Sequence, residues 1–156
     1  MKNKKKIIIA VSVIVVIALI IILCFVFKKD NRRYDTENIE GRMVDWYDNM
    51  RVMDFIDSTD LFGYDMTIEE DAAFLTTYDN EITTDTIVIA VINSKETDLY
   101  YDLFKGFLDA RKLNTDAMDL LNYYDKAKLV QSDNYIYFLL GPETDMYEKE
   151  LLSFYY

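Results

Sequence analysis

The side chains available for chemistry are carboxylates and phenols. The chain holds 28 Asp and Glu and 13 Tyr, no histidine at all, and a single cysteine, Cys24. Without histidine, a Ser-His-Asp or Cys-His relay, a His-based zinc site and the usual general base near neutral pH cannot be built from this chain. Cys24 lies inside an apolar run, so a soluble thiolate site and a structural disulfide go with it. What remains is carboxylate chemistry, as in glycoside hydrolysis or the holding of a hard cation. Glu69 with Glu70, Asp79 with Glu81, and Asp54, Asp57 and Asp60 at a spacing of three are candidates. Their abundance makes no one pair diagnostic, and the aspartate triplet reads as a solvated helix end. The stretch from Asp79 to Asp85 makes a poor calcium loop, because Thr83 and Thr84 stand where an acid or Asn and then Gly are needed. No residue is therefore assigned a catalytic, cofactor-binding or metal-ligating role.

The tyrosines offer an aromatic platform for sugar or peptide, yet most fall at helix or strand positions that suit a core with the hydroxyl at the surface. Tyr135 and Tyr137 are the exceptions. They share one strand face opposite Ile136 and Phe138, and form a candidate partner surface if that face is uncovered.

The elements that must position these groups begin with a membrane anchor. Residues 1–6 form a short basic tail, and Ile7 to Phe27 is a run of 21 residues without a charge. At roughly 1.5 Å per residue a helix of this length crosses about 30 Å, the hydrocarbon thickness of a bilayer. The run is too long for a cleaved signal peptide and lacks small residues at its end. Lipidation at Cys24 would want Gly, Ala or Ser where Leu23 stands. Lys4, Lys5 and Lys6 precede the run, and Lys28, Lys29, Arg32 and Arg33 follow it, so the positive-inside count is nearly a tie. These basic residues hold the helix ends at the headgroups, and a first apolar segment near the N-terminus acts as a signal anchor that leaves the large domain outside.

Residues 28–36 are a polar juxtamembrane linker, and 37–156 an acidic domain. Beyond residue 27 the chain carries 13 basic and 28 acidic side chains, a formal charge of −15, with no basic stripe. Nucleic acid is excluded as a partner, since its binding rests on Lys and Arg neutralising phosphates. The lipid bilayer, through residues 7–27, and a protein are the partners expected.

From Glu37 the residues Ile39, Met43, Trp46, Tyr47, Met50, Met53 and Ile56 recur at helical spacing, which predicts one helix ending near Ser58, its methionine stripe in the core. Thr67 to Glu70 fits a capping box. Strands are predicted at Ala72–Tyr78 and Thr86–Ile92, the second apolar on both faces and therefore central in a sheet covered on both sides. Helices follow at about Lys95–Leu113, capped by Ser94, and after Thr115. Two further strands, Ala127–Gln131 and Tyr135–Leu140, flank a hairpin at Ser132-Asp133-Asn134, and Pro142 suits the first turn of a last helix. The order α-ββ-αα-ββ-α predicts an α+β domain with a mainly antiparallel sheet of about four strands packed with helices. Four scattered glycines cannot supply the Gly-rich loop of a doubly wound nucleotide-binding fold.

From Tyr64 to Tyr156 the chain resembles the DUF4358-like family of exported, membrane-attached domains of Gram-positive bacteria. The resemblance is carried by Gly63-Tyr64-Asp65, by Thr83-Thr84-Asp85 ahead of the strand Ile87 to Ile92, by Arg111 and Tyr124, and by Asn134-Tyr135-Ile136-Tyr137-Phe138. Many relatives carry a lipoprotein signal, which this chain lacks, and an acidic residue where Thr86 stands here. The resemblance implies an extracytoplasmic setting and brings no activity with it. The function expected is a non-catalytic protein-interaction module at the cell envelope. A sensor for a small ligand or divalent cation is the alternative, and a carboxylate-based enzyme stands behind both.

Overall fold

In the computed structural model the described residues are 32–67 and 71–156. They form a five-stranded, wholly antiparallel sheet with five α-helices: α1 (Thr36–Met43), β1 (Arg51–Val52), α2 (Phe55–Phe62), β2 (Ala72–Thr76), β3 (Val88–Ile92), α3 (Thr97–Leu113), α4 (Met118–Asp125), β4 (Lys128–Gln131), β5 (Ile136–Leu140) and α5 (Thr144–Leu151). The strand order is β1-β2-β3-β5-β4, so β3 lies in the middle, as its two apolar faces require. Ala90 sits between Phe74 of β2 and Phe138 of β5, and every residue of β3 is buried.

Because successive strand side chains point to opposite faces, the sheet divides its residues between two cores. Phe74, Val88, Ala90, Ile92, Ile136 and Phe138 pack with Leu61 of α2, Phe104 and Phe107 of α3, and Tyr123 and Tyr124 of α4. Leu75, Ile89, Val91, Tyr137 and Leu139 pack with Ile39 and Met43 of α1, Tyr147 and Leu151 of α5, and Phe154. The product is a three-layer α+β domain with helices on both faces.

The single helix expected from Glu37 to Ser58 is instead α1, a 3-10 turn at Val44–Trp46, strand β1 and the start of α2. Asn49 breaks it with a left-handed φ of 63°, a conformation Asn tolerates better than most residues. Met50 and Met53, three apart, would share a helix face. In the extended chain an odd offset sends them to opposite sides of the sheet, and they are buried in the two different cores. Most of the methionine stripe is core as expected, while Trp46 and Ile56 are exposed.

The aspartate triplet opens a helix instead of ending one. Asp54 is the N-cap of α2, accepting from the Asp57 N–H at 2.9 Å, while Asp57 accepts in return from the Asp54 N–H at 3.2 Å. Asp57 is buried and held by Arg51, which donates through Nη2 at 2.7 Å and again through Nη1, and Nη2 also donates to the Tyr78 carbonyl at 2.8 Å. Gly63 ends α2 with a φ of 71°, where a side chain would be strained.

The remaining boundaries shift by a few residues. Ser94 accepts from the Glu96 N–H ahead of α3 without capping its first turn, and Pro142 stands before the N-cap of α5, not inside its first turn. The hairpin at Ser132-Asp133-Asn134 forms, its Ser132 N–H donating to the Tyr135 carbonyl at 2.8 Å. Most of the capping box at Thr67 lies outside the described residues. Thr67 itself donates both its N–H and its hydroxyl to Asp65.

The compact unit begins at Arg32, so residues 33–36, expected as linker, belong to the fold. Tyr34 is 1 % exposed, bridges Tyr155, and exchanges hydrogen bonds with Asn93 at 2.9 and 2.7 Å. Arg33 and Tyr156 exchange backbone hydrogen bonds at 3.0 and 3.1 Å. The anchor predicted at residues 7–27 lies outside the described residues. No helix of the described residues is long and apolar enough to cross a membrane.

Candidate functional site

Along the exposed side of α3 two clefts meet at Arg111 and Asn114. One, about 500 Å³, runs between α2 and α3 over Leu61, Phe62, Leu103 and Phe107, with Gly106 and Ala110 on its α3 side. The other, about 260 Å³, lies toward α4 and is walled by Tyr78, Asn80, Glu81, Ile82, Leu120 and Tyr124. The pair lies on either side of α3, whose Phe104 and Phe107 are turned into the core, with residues of α2 lining one cleft and residues of α4 the other. Asn80, with a φ of 64°, turns the chain after Tyr78 and shapes the outer wall.

Arg111 is the cation of this site. It stands in the last turn of α3, where a positive charge complements the helix dipole. Its guanidinium lies 5.4 Å from the centre of the Phe107 ring, a cation–π contact. No ion pair or hydrogen bond joins it to another described residue, a state it shares with the side chains of Arg42, Lys95, Lys126 and Lys149, whereas Arg33, Arg51, Lys105, Lys112 and Lys128 each hold an acid. What sets Arg111 apart is its place in the two clefts. The dipole accounts for the sign of the charge and leaves the donors of the guanidinium unused.

Tyr78 and Tyr124 are 6 % and 4 % exposed, and neither hydroxyl has a hydrogen-bond partner among the described residues. Both hydroxyls keep contact with solvent, unlike that of Tyr34, through the cleft their side chains line. Burial pushes both phenols up from their ordinary value, the Asp60 and Asp57 charges push Tyr78 further up, and the Arg111 charge pulls both back. Two buried phenols and one guanidinium thus converge on a single hollow as neutral and charged donors without acceptors. Such a set recognises an anionic or carbonyl oxygen.

A hollow of about 560 Å³ at the start of α5 is larger and of mixed charge, lined by Lys126, Lys128, Glu143 and Asp145, with Lys128 already paired. Lys128 lies 2.6 Å from Asp145 and 2.5 Å from Glu148, and Thr144 donates to the Lys126 carbonyl at 2.8 Å.

The face of Tyr135 and Tyr137 is covered. Tyr137 is 4 % exposed and donates to Glu148 Oε1 at 2.6 Å, and its ring meets Tyr34 edge-on at 5.9 Å between centres. Tyr135 is half-buried in the same cluster, 5.0 Å from Tyr34. The tyrosine pair is thus placed in packing, away from the α3 clefts. Lys4, Lys5, Lys6, Lys28 and Lys29 lie outside the described residues. Arg32 lies 5.5 Å from the Tyr155 ring, and Arg33 reaches Asp71 at 3.5 Å and the Tyr156 hydroxyl at 3.0 Å, so both touch the domain. Between Asp79 and Asp85, Thr83 takes part in a local turn with Thr86 and Asp85. Among the described residues no group of three or more acidic or sulfur ligands gathers for a metal.

Of the residues singled out in the sequence, the structure brings Arg111 and Tyr124 together. Tyr78 and Gly106 complete the site and were not singled out. The signal for Gly106 is a glycine inside a strong helical pattern, a residue that weakens a helix and asks for a reason. Comparison with family models, curated proteins and solved structures finds no match for this chain.

Proposed function

We propose that the chain is a non-catalytic binding module of the cell envelope, held at the membrane by residues 7–27 with its acidic domain on the outer side, and that it engages a protein partner through the α3 clefts. The observation that carries this reading is Arg111, a guanidinium without an acid partner among the described residues of a strongly acidic domain, set between two buried phenols and an apolar groove. Hydrogen-bond donors left over at a cleft, beside apolar surface, are what a binding site offers before its ligand arrives. The chemistry missing from the sequence, histidine above all, supports recognition over turnover. With the fold starting at Arg32, only a few residues separate the domain from the predicted span, which supports a partner at the membrane surface.

A photo-cross-linking residue placed at Asn114 of the full-length protein in intact cells tests the reading. A discrete adduct that disappears with Arg111→Gln is expected. Adducts indistinguishable from those formed at Lys149, on the opposite face, would count against it. Protease digestion of wall-stripped cells checks the placement: cleavage of the domain before lysis is expected, and protection until lysis would reverse the orientation.

A further inference from the structure

Resting on the binding-module reading, we infer that the occupant of the α3 clefts is a linear peptide segment that sets a carboxylate against Arg111 and lays a neighbouring bulky apolar side chain in the α2–α3 groove. The carboxylate follows from the donors. A guanidinium offers parallel N–H groups that match a carboxylate in pairs, and the phenols of Tyr78 and Tyr124 can add their hydrogens to the same group. The charge count selects among anions. Among the described residues Arg111 is the one cation lining either cleft, Glu81 stands in the wall of the smaller cleft and Asp102 in that of the larger, and the chain carries −11 overall. A monovalent carboxylate matches one guanidinium, whereas a dianionic phosphate meets repulsion that one guanidinium does not offset.

The apolar part follows from the other cleft and from Gly106. Leu61, Phe62, Leu103 and Phe107 line a groove that continues into the polar hollow at Arg111. Gly106 lies in the middle of the 17-residue α3, where glycine is less stable than alanine, and its own packing does not require it. A Cβ built there meets nothing within 4 Å. The missing side chain leaves the groove open along the helix, which lets a bulky group approach. The two clefts together exceed what one amino acid fills, and their line along α3 suits an extended segment.

The full-length protein in phosphatidylcholine nanodiscs, used as bait for a displayed library of random heptapeptides, tests the inference. Recovered sequences should share Asp or Glu close to Leu, Ile, Phe or Met. Their synthetic peptides should bind at least tenfold more weakly to Arg111→Gln. Gly106→Leu, which fills the groove from the helix side, should abolish binding while the thermal transition stays at or above that of the wild type. That combination separates a blocked groove from a damaged fold. Recovered peptides that lack an acid yet lose binding in both variants would overturn the inference and leave the binding-module reading standing. Recovery of peptides indifferent to both variants, or of none, would overturn it as well. An Arg111-dependent adduct at Asn114 in cells would then mark a folded surface as the partner.

Discussion

The two faces of the sheet treat their tyrosines in opposite ways. On the face covered by α1 and α5, the rings of Tyr34, Tyr135, Tyr137 and Tyr155 pack on one another, and the Tyr137 hydroxyl donates a hydrogen bond to Glu148, which Lys128 also holds. On the face covered by α2, α3 and α4, Tyr78 and Tyr124 are just as buried but keep unpartnered hydroxyls toward a cleft beside Arg111. Apart from the sealed Tyr34 hydroxyl, the first face ties its phenols into packing and hydrogen bonds, while the second keeps two hydroxyls toward solvent. Water reaches the Tyr78 and Tyr124 hydroxyls through the cleft, so leaving them without a protein partner costs little, and under the proposed reading they stay free for an incoming group.

The largest expected effect breaks the core beneath that side. Phe138 is fully buried on β5, stacked on Phe104 at 4.9 Å and met edge-on by Phe62 and Phe107. Phe138→Ala should destabilise by about 3–5 kcal/mol in chemical denaturation. The clefts should be lost with it, since Phe62 and Phe107 both rest on that ring.

Next in size is the join between β1 and α2. Asp57→Ala removes the reciprocal cap of α2 and the partner of Arg51, at a cost of about 2–4 kcal/mol. The Arg51 guanidinium, with help from the Asp54 backbone, holds the Asp57 carboxyl below its ordinary value of 3.8. The stability it contributes is complete above that value and is lost as pH falls through the lower folded value. Acid titration of the folded fraction should show this component in the wild type and not in Asp57→Asn.

The sequence reveals what local patterning encodes and conceals what depends on distant partners. The central strand is legible because Ile87 to Ile92 is apolar on both faces, and α3 because Tyr100, Phe104 and Phe107 hold one stripe. Strand β1 is concealed because Met50 and Met53 keep a helical interval, and nothing nearby announces that Arg51 and Val52 will pair with Thr76 and Leu75. Tyr34 is concealed for the same reason, since its place is set by Tyr155 and Asn93, far along the chain. At the candidate site no local pattern links Arg111 with Tyr124. Tyr78 joins them only when the sheet and α3 bring residues more than thirty positions apart into one hollow.

Smaller substitutions sharpen the contrast between hydroxyls. Tyr137→Phe should cost about 1 kcal/mol by removing a bond to a charged acceptor. Tyr34→Phe should stabilise by about 1 kcal/mol, because the Tyr34 hydroxyl is sealed from solvent without a partner. Thermal melts of the two variants should therefore move in opposite directions, although the rings lie 5.9 Å apart in one cluster. A loss of stability in both would mean that a bound water satisfies Tyr34.

The smallest change addresses the open side directly. Gly106→Ala places a methyl group in empty space on an exposed helix position and should stabilise the fold by about 0.5–1 kcal/mol, since alanine leaves less backbone entropy to lose. If the groove serves only packing, that gain carries no penalty and the leucine variant behaves alike. If the groove receives a side chain, alanine should narrow it and weaken peptide binding part of the way toward the loss expected with leucine. Binding that falls stepwise with side-chain volume at residue 106, while melting temperature does not fall, would tie the glycine to recognition. Its counterpart on the closed face behaves differently: a Cβ at Gly141 would stand 2.6 Å from the Tyr147 ring, so Gly141→Ala should destabilise. Opposite signs at the two glycines would show that one is kept for packing and the other for what comes to rest against α3.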